Sequence, residues 1–298
     1  MTVIRINAQQ TPPNRAFDLA GSLSDNAQII VMIHGYRYSP SIPKHDPHRH
    51  LLALDPVPDR PRPFSWPRAL GFGKEGRSDG LAIACGWEAR GSLGAAFGRA
   101  AEAGHWLGDY LSDLSAAAGR PVSIICHSMG ARVALQSLYR ATPGSVGRII
   151  LLTGAEFADE AAAALDSPAG RRAEVINVTS RENDLFDFGI EMWLGGGRRH
   201  ALGFGLEQPR RNWVDVQIDC PENLKMLCQM GFDVDTEPMR LSHWTPYLRR
   251  GLFDFYRTAL RQPWALPLPM LRHRLPGPVA PRWSRLLARP SQISGLRA

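Results

Sequence analysis

The stretch Val122-Ser123-Ile124-Ile125-Cys126-His127-Ser128-Met129-Gly130-Ala131-Arg132 decides how the chain is read. Its first five residues form a short, largely apolar run, and a small-residue segment, GARVALQSL, follows the glycine. A serine therefore stands at a sharp turn between a buried strand and a helix. Such a turn needs small residues two before and two after the serine, because the backbone is strained there and the helix packs close to the strand. Gly130 fills the second of these positions, and Cys126 fills the first, where glycine is commonest. The string x-x-S-x-G alone is weak; the strand before it and the helix after it make it specific. The plain alternative is a serine that merely caps the helix.

Working outward, four more apolar runs end in the same abrupt way. Residues 29–33 (IIVMI) stop at His34-Gly35-Tyr36, and 81–85 (LAIAC) stop at Gly86-Trp87. Residues 148–152 (RIILL) stop at Thr153-Gly154, and 174–178 (EVINV) at Thr179-Ser180. Runs this short and continuous read as strands buried on both faces. Between the runs at 81–85 and 122–126, Phe97, Ala100, Ala101, Gly104, Leu107, Leu111 and Leu114 recur at helical spacing. Helical patterns also cover 129–141 and 157–165. Strands alternating with helices predict an α/β fold, a mostly parallel sheet with helices on both faces, whose working residues gather beyond the carboxyl ends of the strands. After residue 212 the segment 213–219 alternates like an edge-side strand, and 246–260 reads as a closing helix. A Pro- and His-rich insertion at about 38–79 and a Gly/Arg-rich stretch at 194–211 interrupt the regularity; loops of that length rim a site or are disordered.

A serine hydroxyl is a poor nucleophile near neutral pH, so it needs a base, and the base needs an orienting acid. The charge that develops on a carbonyl oxygen under attack also needs preorganised N–H donors. The Met129 N–H, next after the serine, is one. The loop at His34-Gly35-Tyr36, where Gly35 admits close backbone approach, offers the Tyr36 N–H as the second. Taken together, Val31-Met32-Ile33-His34-Gly35-Tyr36, Cys85-Gly86-Trp87-Glu88-Ala89-Arg90-Gly91-Ser92-Leu93 and Cys126-His127-Ser128-Met129-Gly130-Ala131-Arg132-Val133-Ala134-Leu135 resemble the α/β-hydrolase superfamily. More narrowly they resemble its uncharacterised bacterial branch with an HGY loop, a strand ending in a Trp-containing turn, and an HSMG-x-R elbow. The resemblance covers roughly residues 29–260. Cys126, where that branch usually has alanine or glycine, and the 38–79 insertion depart from its pattern. It implies an α/β-hydrolase domain over 1–261 and a serine hydrolase in which nucleophile, carboxylate and histidine follow one another along the chain.

With Ser128 as nucleophile, the acid is expected downstream, just past a strand. Asp184, in 179–186 (TSRENDLF) directly after EVINV, is the first choice. Asp187 and Glu182 compete with it, and Glu156 and Asp159 follow the previous strand; a turn or capping aspartate is the bland reading. Three histidines follow Asp184. His200 sits in GGGRRH and His273 near the end of the chain, whereas His243, in 241–247 (LSHWTPY), stands just ahead of the last helix, where a hydrolase histidine belongs. The expectation is a carboxylesterase or thioesterase that works through an acyl-enzyme. Ser128, Asp184 and His243 would form its triad, and Tyr36 and Met129 its oxyanion donors. No cofactor and no metal are expected, and the substrate would be a small-molecule ester or thioester. The alternative is a hydrolase-fold protein that binds a ligand without turnover.

Composition narrows the remaining classes. Of 298 residues 44% are hydrophobic and 21% charged, which excludes a disordered chain. No apolar run approaches the roughly 20 residues of a membrane span, and no export signal is visible, so a cytoplasmic protein is expected. Six arginines and no acidic residue fall in 262–298, which therefore carries +6 of the net +7. Nucleic acid is an unlikely partner for the near-neutral remainder. The Pro/Arg-rich tail, whose prolines forbid a long helix, is expected to be an extended, partly disordered appendage. Weak membrane-surface contact is its functional reading, and a segment draped over the domain through Trp264, Leu266, Leu268 and Trp283 is the equally weighted plain one. His45, His48 and His50 lack the partners of a metal site, and Cys220 and Cys228 are expected as small buried hydrophobes.

Overall fold

The computed structural model describes residues 3–58, 63–73, 80–237, 242–275 and 280–287. Seven strands form one sheet, and every neighbouring pair runs parallel. They are β1 (Val3–Asn7), β2 (Gln28–Ile33), β3 (Gly80–Gly86), β4 (Val122–His127), β5 (Val146–Leu152), β6 (Glu174–Thr179) and β7 (Trp213–Gln217), in the order β1-β3-β2-β4-β5-β6-β7. The apolar runs become the interior strands, and β4 lies at the centre. β1, which its short alternating sequence did not announce, lies at one edge, and β7 lies at the other.

Because successive side chains point to opposite faces, the sheet separates two cores. On one face Val31, Ile33, Ile83, Ile124, Cys126 and Ile149 pack under α1 (Arg15–Gly21), α3 (Leu93–Ala118), α4 (Gly130–Ser137) and α5 (Ala158–Asp166). On the other, Ile30, Met32, Ile125, Ile150, Ile176 and Val214 meet α2 (Trp66–Ala69), α7 (Pro221–Gln229) and the C-terminal helices. Both helical layers sit where βαβ crossovers must put them. α6 (Asp184–Trp193) follows β6 at the carboxyl end of the sheet.

Three expectations change. The helix read over 246–260 is two, α8 (Thr245–Leu248) and α9 (Leu252–Arg261), broken at Gly251. That glycine has φ +84°, and a side chain there would run into the Asp233 carbonyl, so the chain must turn at this point. The 38–79 insertion is not merely a rim: Leu51, Leu52, Trp66, Leu70 and Phe72 are buried in the second core. Its histidines are spent locally, His48 on the Asn7 side chain (2.8 Å) and His50 on the Lys44 carbonyl (3.0 Å). Cys220 is buried as expected, but Cys228 is exposed.

The tail follows the draped reading more than the extended one. It holds no long helix among its described residues, but Pro267 and Pro269 open a short one, α10 (Leu268–Arg274), since the first turn of a helix needs no N–H from them. Leu266, Leu268, Leu271 and Leu275 are buried in the second core. Residues 280–287 then run back over the sheet's carboxyl end. There the Ala280 N–H meets the Gln217 side chain, and Arg285 pairs with Asp219 (2.9 Å). Arg272 donates to the carbonyls of Arg210 and Arg211, so these arginines serve the chain itself. The other tail residues, 276–279 and 288–298, lie outside the described set. Truncating Leu271 to alanine should lower stability by about 2–5 kcal/mol. The change would be read as a lower urea midpoint at unchanged slope; an unchanged midpoint would mean that α10 does not belong to the core.

Candidate active site

At the end of β4 the chain turns on Ser128, whose φ of +53° is left-handed, a conformation that costs a non-glycine residue about 1–3 kcal/mol. The turn is clamped by its own amide groups. Ser128 N–H donates to Leu152 O (3.0 Å), while Ser128 O accepts from Ala131 N–H and Ala155 N–H (both 2.9 Å). Two glycines let the neighbouring backbones close in. A side chain on Gly130 would strike the carbonyls of His34 and Ile33, and one on Gly35 would strike Ser128 Cβ at 2.8 Å. The loop after β2 thus lies directly against the elbow. Among the described residues neither the Tyr36 N–H nor the Met129 N–H makes a hydrogen bond, and both residues line the cavity that contains Ser128. Met129 is also the N-cap of α4, where helix dipoles favour negative charge.

The His34–Trp87 contact ties the loop after β2 to the turn after β3. Trp87 N–H donates to His34 Nε2, and the indole N–H donates to the His34 carbonyl, each at 3.0 Å. The rings stack at 7°. His34 Nδ1 must then carry the proton, which it gives to Gly35 O (2.8 Å). Burial pushes the pKa of His34 down to about 3, so it stays neutral and works as a brace.

His243 lies in the same cavity, between the rings of Phe186 (4.5 Å, 20°) and His127 (4.5 Å). Its main-chain carbonyl accepts from His127 Nε2 (3.0 Å) and from Thr153 Oγ1 (3.3 Å). His127 is therefore an anchor for the His243 backbone, and its own pKa is pushed down to about 4, chiefly by burial. Burial and the adjacent His127 hold the His243 pKa well below its ordinary value.

The partner of the imidazole is not the expected one. Asn183 Oδ1 accepts from His243 Nδ1 at 2.6 Å, and Asn183 Nδ2 donates to Asp187 Oδ1 at 2.9 Å. An amide oxygen can only accept, so the proton sits on Nδ1 and the Nε2 lone pair is left for the cavity. Asp184, the residue expected in this role, is buried on the far side of the first turn of α6. There it pairs with Arg181 (3.1 Å) and accepts the Trp283 N–H (2.6 Å). The reason is local: Asn183 ends a tight turn aimed at His243, and the next residue along a helix points about 100° away. The Asp187 carboxyl, buried behind Asn183, has its pKa raised to about 7, chiefly by burial.

The other acids considered are also committed elsewhere. Glu156 is fully buried, pairs with Arg132 of the elbow helix (2.7 Å), and has its pKa raised to about 7 by burial against the pull of that arginine. Asp159 meets Arg199. Glu182 pairs with Arg249 (3.0 Å), accepts from Thr245 Oγ1 (2.7 Å), and its carbonyl accepts the Ser242 N–H. These bonds fasten the segment carrying His243 to the turn carrying Asn183. His200 and His273 are exposed and outside the cavity. Asn183 escaped the sequence reading because an uncharged amide is not an obvious orienting group; its one signal was Asp187, a helical turn onward.

Ser128, His243, Asn183 and the two free amides share a cavity of about 1050 Å³. Such a site can generate a nucleophilic oxygen, take up its proton and stabilise an oxyanion. No group of three or more metal-ligating side chains occurs among the described residues. No described helix is long and apolar enough to cross a membrane. A scan of the chain against protein-family models finds no match, and a search among curated proteins finds no similar one. If the site is packed as described, the imidazole chemical shifts of His34, His127 and His243 should stay flat from about pH 8 down to about pH 5.5. A midpoint near 6.5 for His243 would show an imidazole open to water.

Proposed function

We propose that this chain is a serine hydrolase of the α/β-hydrolase kind, cleaving a carboxylic ester or thioester through an acyl-enzyme. The observation that carries the reading is the strained Ser128 elbow at the centre of a parallel sheet. It faces one cavity together with a neutral His243 and the two unbonded N–H groups of Tyr36 and Met129. The motif resemblance over 29–260 supports the same reading.

In the proposed reaction Ser128 Oγ forms a bond to the acyl carbon while His243 Nε2 takes the hydroxyl proton. The former carbonyl oxygen becomes negative against the Tyr36 and Met129 amides. When the carbon–oxygen or carbon–sulfur bond to the leaving group breaks, His243 returns the proton to that group. A water molecule, deprotonated by the same imidazole, then releases the acid and restores Ser128. Asn183 fixes the tautomer. Being neutral, it stabilises the transient imidazolium less than a carboxylate would, and the Asp187 carboxyl stands behind it, accepting from its Nδ2.

The second reading, a binding protein without turnover, draws on one fact: among the described residues Ser128 Oγ makes no hydrogen bond to His243. Such bonds often tighten only when substrate is present. A fluorophosphonate probe separates the two. It should label Ser128, and Ser128→Ala should lower kcat on activated esters about 10⁴- to 10⁶-fold. An unlabelled serine together with undiminished turnover in the mutant would end the hydrolase reading.

A second pair of variants tests the orienting group. Asn183→Ala should lower kcat by about 10²-fold or more, since the imidazole loses its fixed tautomer. Asp184→Asn should act mainly on stability, because it leaves Arg181 buried without its full partner. The reverse ranking in kcat would return the role to Asp184.

A further inference from the structure

We infer that the substrate class is esters of long, unbranched acyl chains, with the chain lying along α6; this rests on the hydrolase reading above. The observation behind it is that α6 is largely inverted, with Ile190 the one large apolar residue it buries. Asp184, Asp187 and Glu191, on one face at helical spacing, are buried toward the protein. Leu185, Phe186, Phe188, Met192 and Trp193 face the other way and are exposed, from 36% at Phe186 to 77% at Trp193. A helix on a globular surface ordinarily buries its apolar stripe and shows its charges to water. Here the buried acids are held by arginines, Asp184 by Arg181 and Glu191 by Arg282 (2.6 Å).

The outward face is not a patch elsewhere on the surface. Those same five side chains line the cavity that contains Ser128, and half-exposed Trp244 lines it too. The apolar wall is therefore continuous with the nucleophile, and what covers it is attached to the group that Ser128 attacks. The volume, about 1050 Å³, is at the top of the roughly 300–1,000 Å³ of small-molecule pockets, far more than an acetyl group fills. Of the α6 side chains that line the cavity, only the Trp193 indole and Asp187, whose Oδ1 already accepts from Asn183, carry hydrogen-bonding groups. An aliphatic chain asks for none, whereas a peptide or sugar in the same place would leave its polar groups unpaired.

The test is a series of p-nitrophenyl esters from acetate to hexadecanoate, kept monomeric, on wild type and a Met192→Ser/Trp193→Ser variant. Both positions are exposed, so folding should survive the change. In wild type, kcat/KM should climb by up to about fourfold per added methylene, the fold-change equivalent to about 0.8 kcal/mol, and then level off when the groove is full. The variant should lose at least about tenfold more on dodecanoate than on acetate, the equivalent of roughly two methylenes of contact. Binding of a fluorescent long-chain fatty acid to Ser128→Ala reads the groove without chemistry and should weaken in the triple variant. A flat chain-length profile, or equal losses on short and long esters, overturns the inference while leaving the hydrolase reading intact. Absence of cleavage at every length, with Ser128 unlabelled, is the separate failure of that reading. A flat profile together with a dimer that Trp193→Ser dissociates would assign the wall to a second copy of the chain and also overturn the proposal.

Discussion

The carbonyl of Ser128, accepting from Ala131 and Ala155 at once, holds the one backbone conformation on which the rest of the site depends. A left-handed serine would relax if either donor were lost, and each donor comes from a different element, α4 and the loop after β5. Two buried N–H···O bonds of about 0.5–1.5 kcal/mol net each are of the same size as the strain they resist. The glycines on either side follow from this geometry. The loop after β2 lies so close to the elbow that Gly35 leaves no room for a side chain, and the Tyr36 that follows lines the same cavity as Met129. The His34–Trp87 pairing then fixes that loop from behind.

A second layer of support is electrostatic. Glu156, Glu182, Asp184, Asp219 and Glu191 are all largely buried, and each is matched by an arginine. Such pairs add little net stability, because desolvation offsets their attraction, but removing one partner leaves a buried charge that costs about 3–5 kcal/mol. Their effect is to fix geometry. Glu182 and Arg249 set the distance between two chain segments some sixty residues apart, and that distance decides whether His243 meets Asn183.

Much of this was legible in the residues. Five continuous apolar runs identified five of the seven strands, and the serine between strand and helix marked the centre of the sheet. The choice of His243 over His200 and His273 followed from position alone, and it is His243 that lies in the cavity with Ser128. What failed had specific causes. Asp184 was chosen among the carboxylates after β6 for its place near the strand end, and only carboxylates were weighed, yet the phase of the first helical turn decides that Asn183 is the side chain that arrives. The tail was read as an appendage because prolines usually exclude helices, but at the first turn they do not. β1 was missed because an edge strand of five residues, only two of them buried, is too short to carry a clear periodic signal.

The strap formed by residues 280–287 has a consequence in time. The Trp283 amide and Arg282 complete the pairing of Asp184 and Glu191, and they lie 99 and 91 residues after those acids along the chain. At about 5–20 residues per second of synthesis, that stretch takes roughly 5–20 seconds to emerge. Throughout that interval Asp184 has Arg181 beside it but not the Trp283 amide, and Glu191 lacks Arg282. The strands and the turn that carry Ser128 are thus synthesised first, and the residues that complete the charge pairs of α6 are synthesised last.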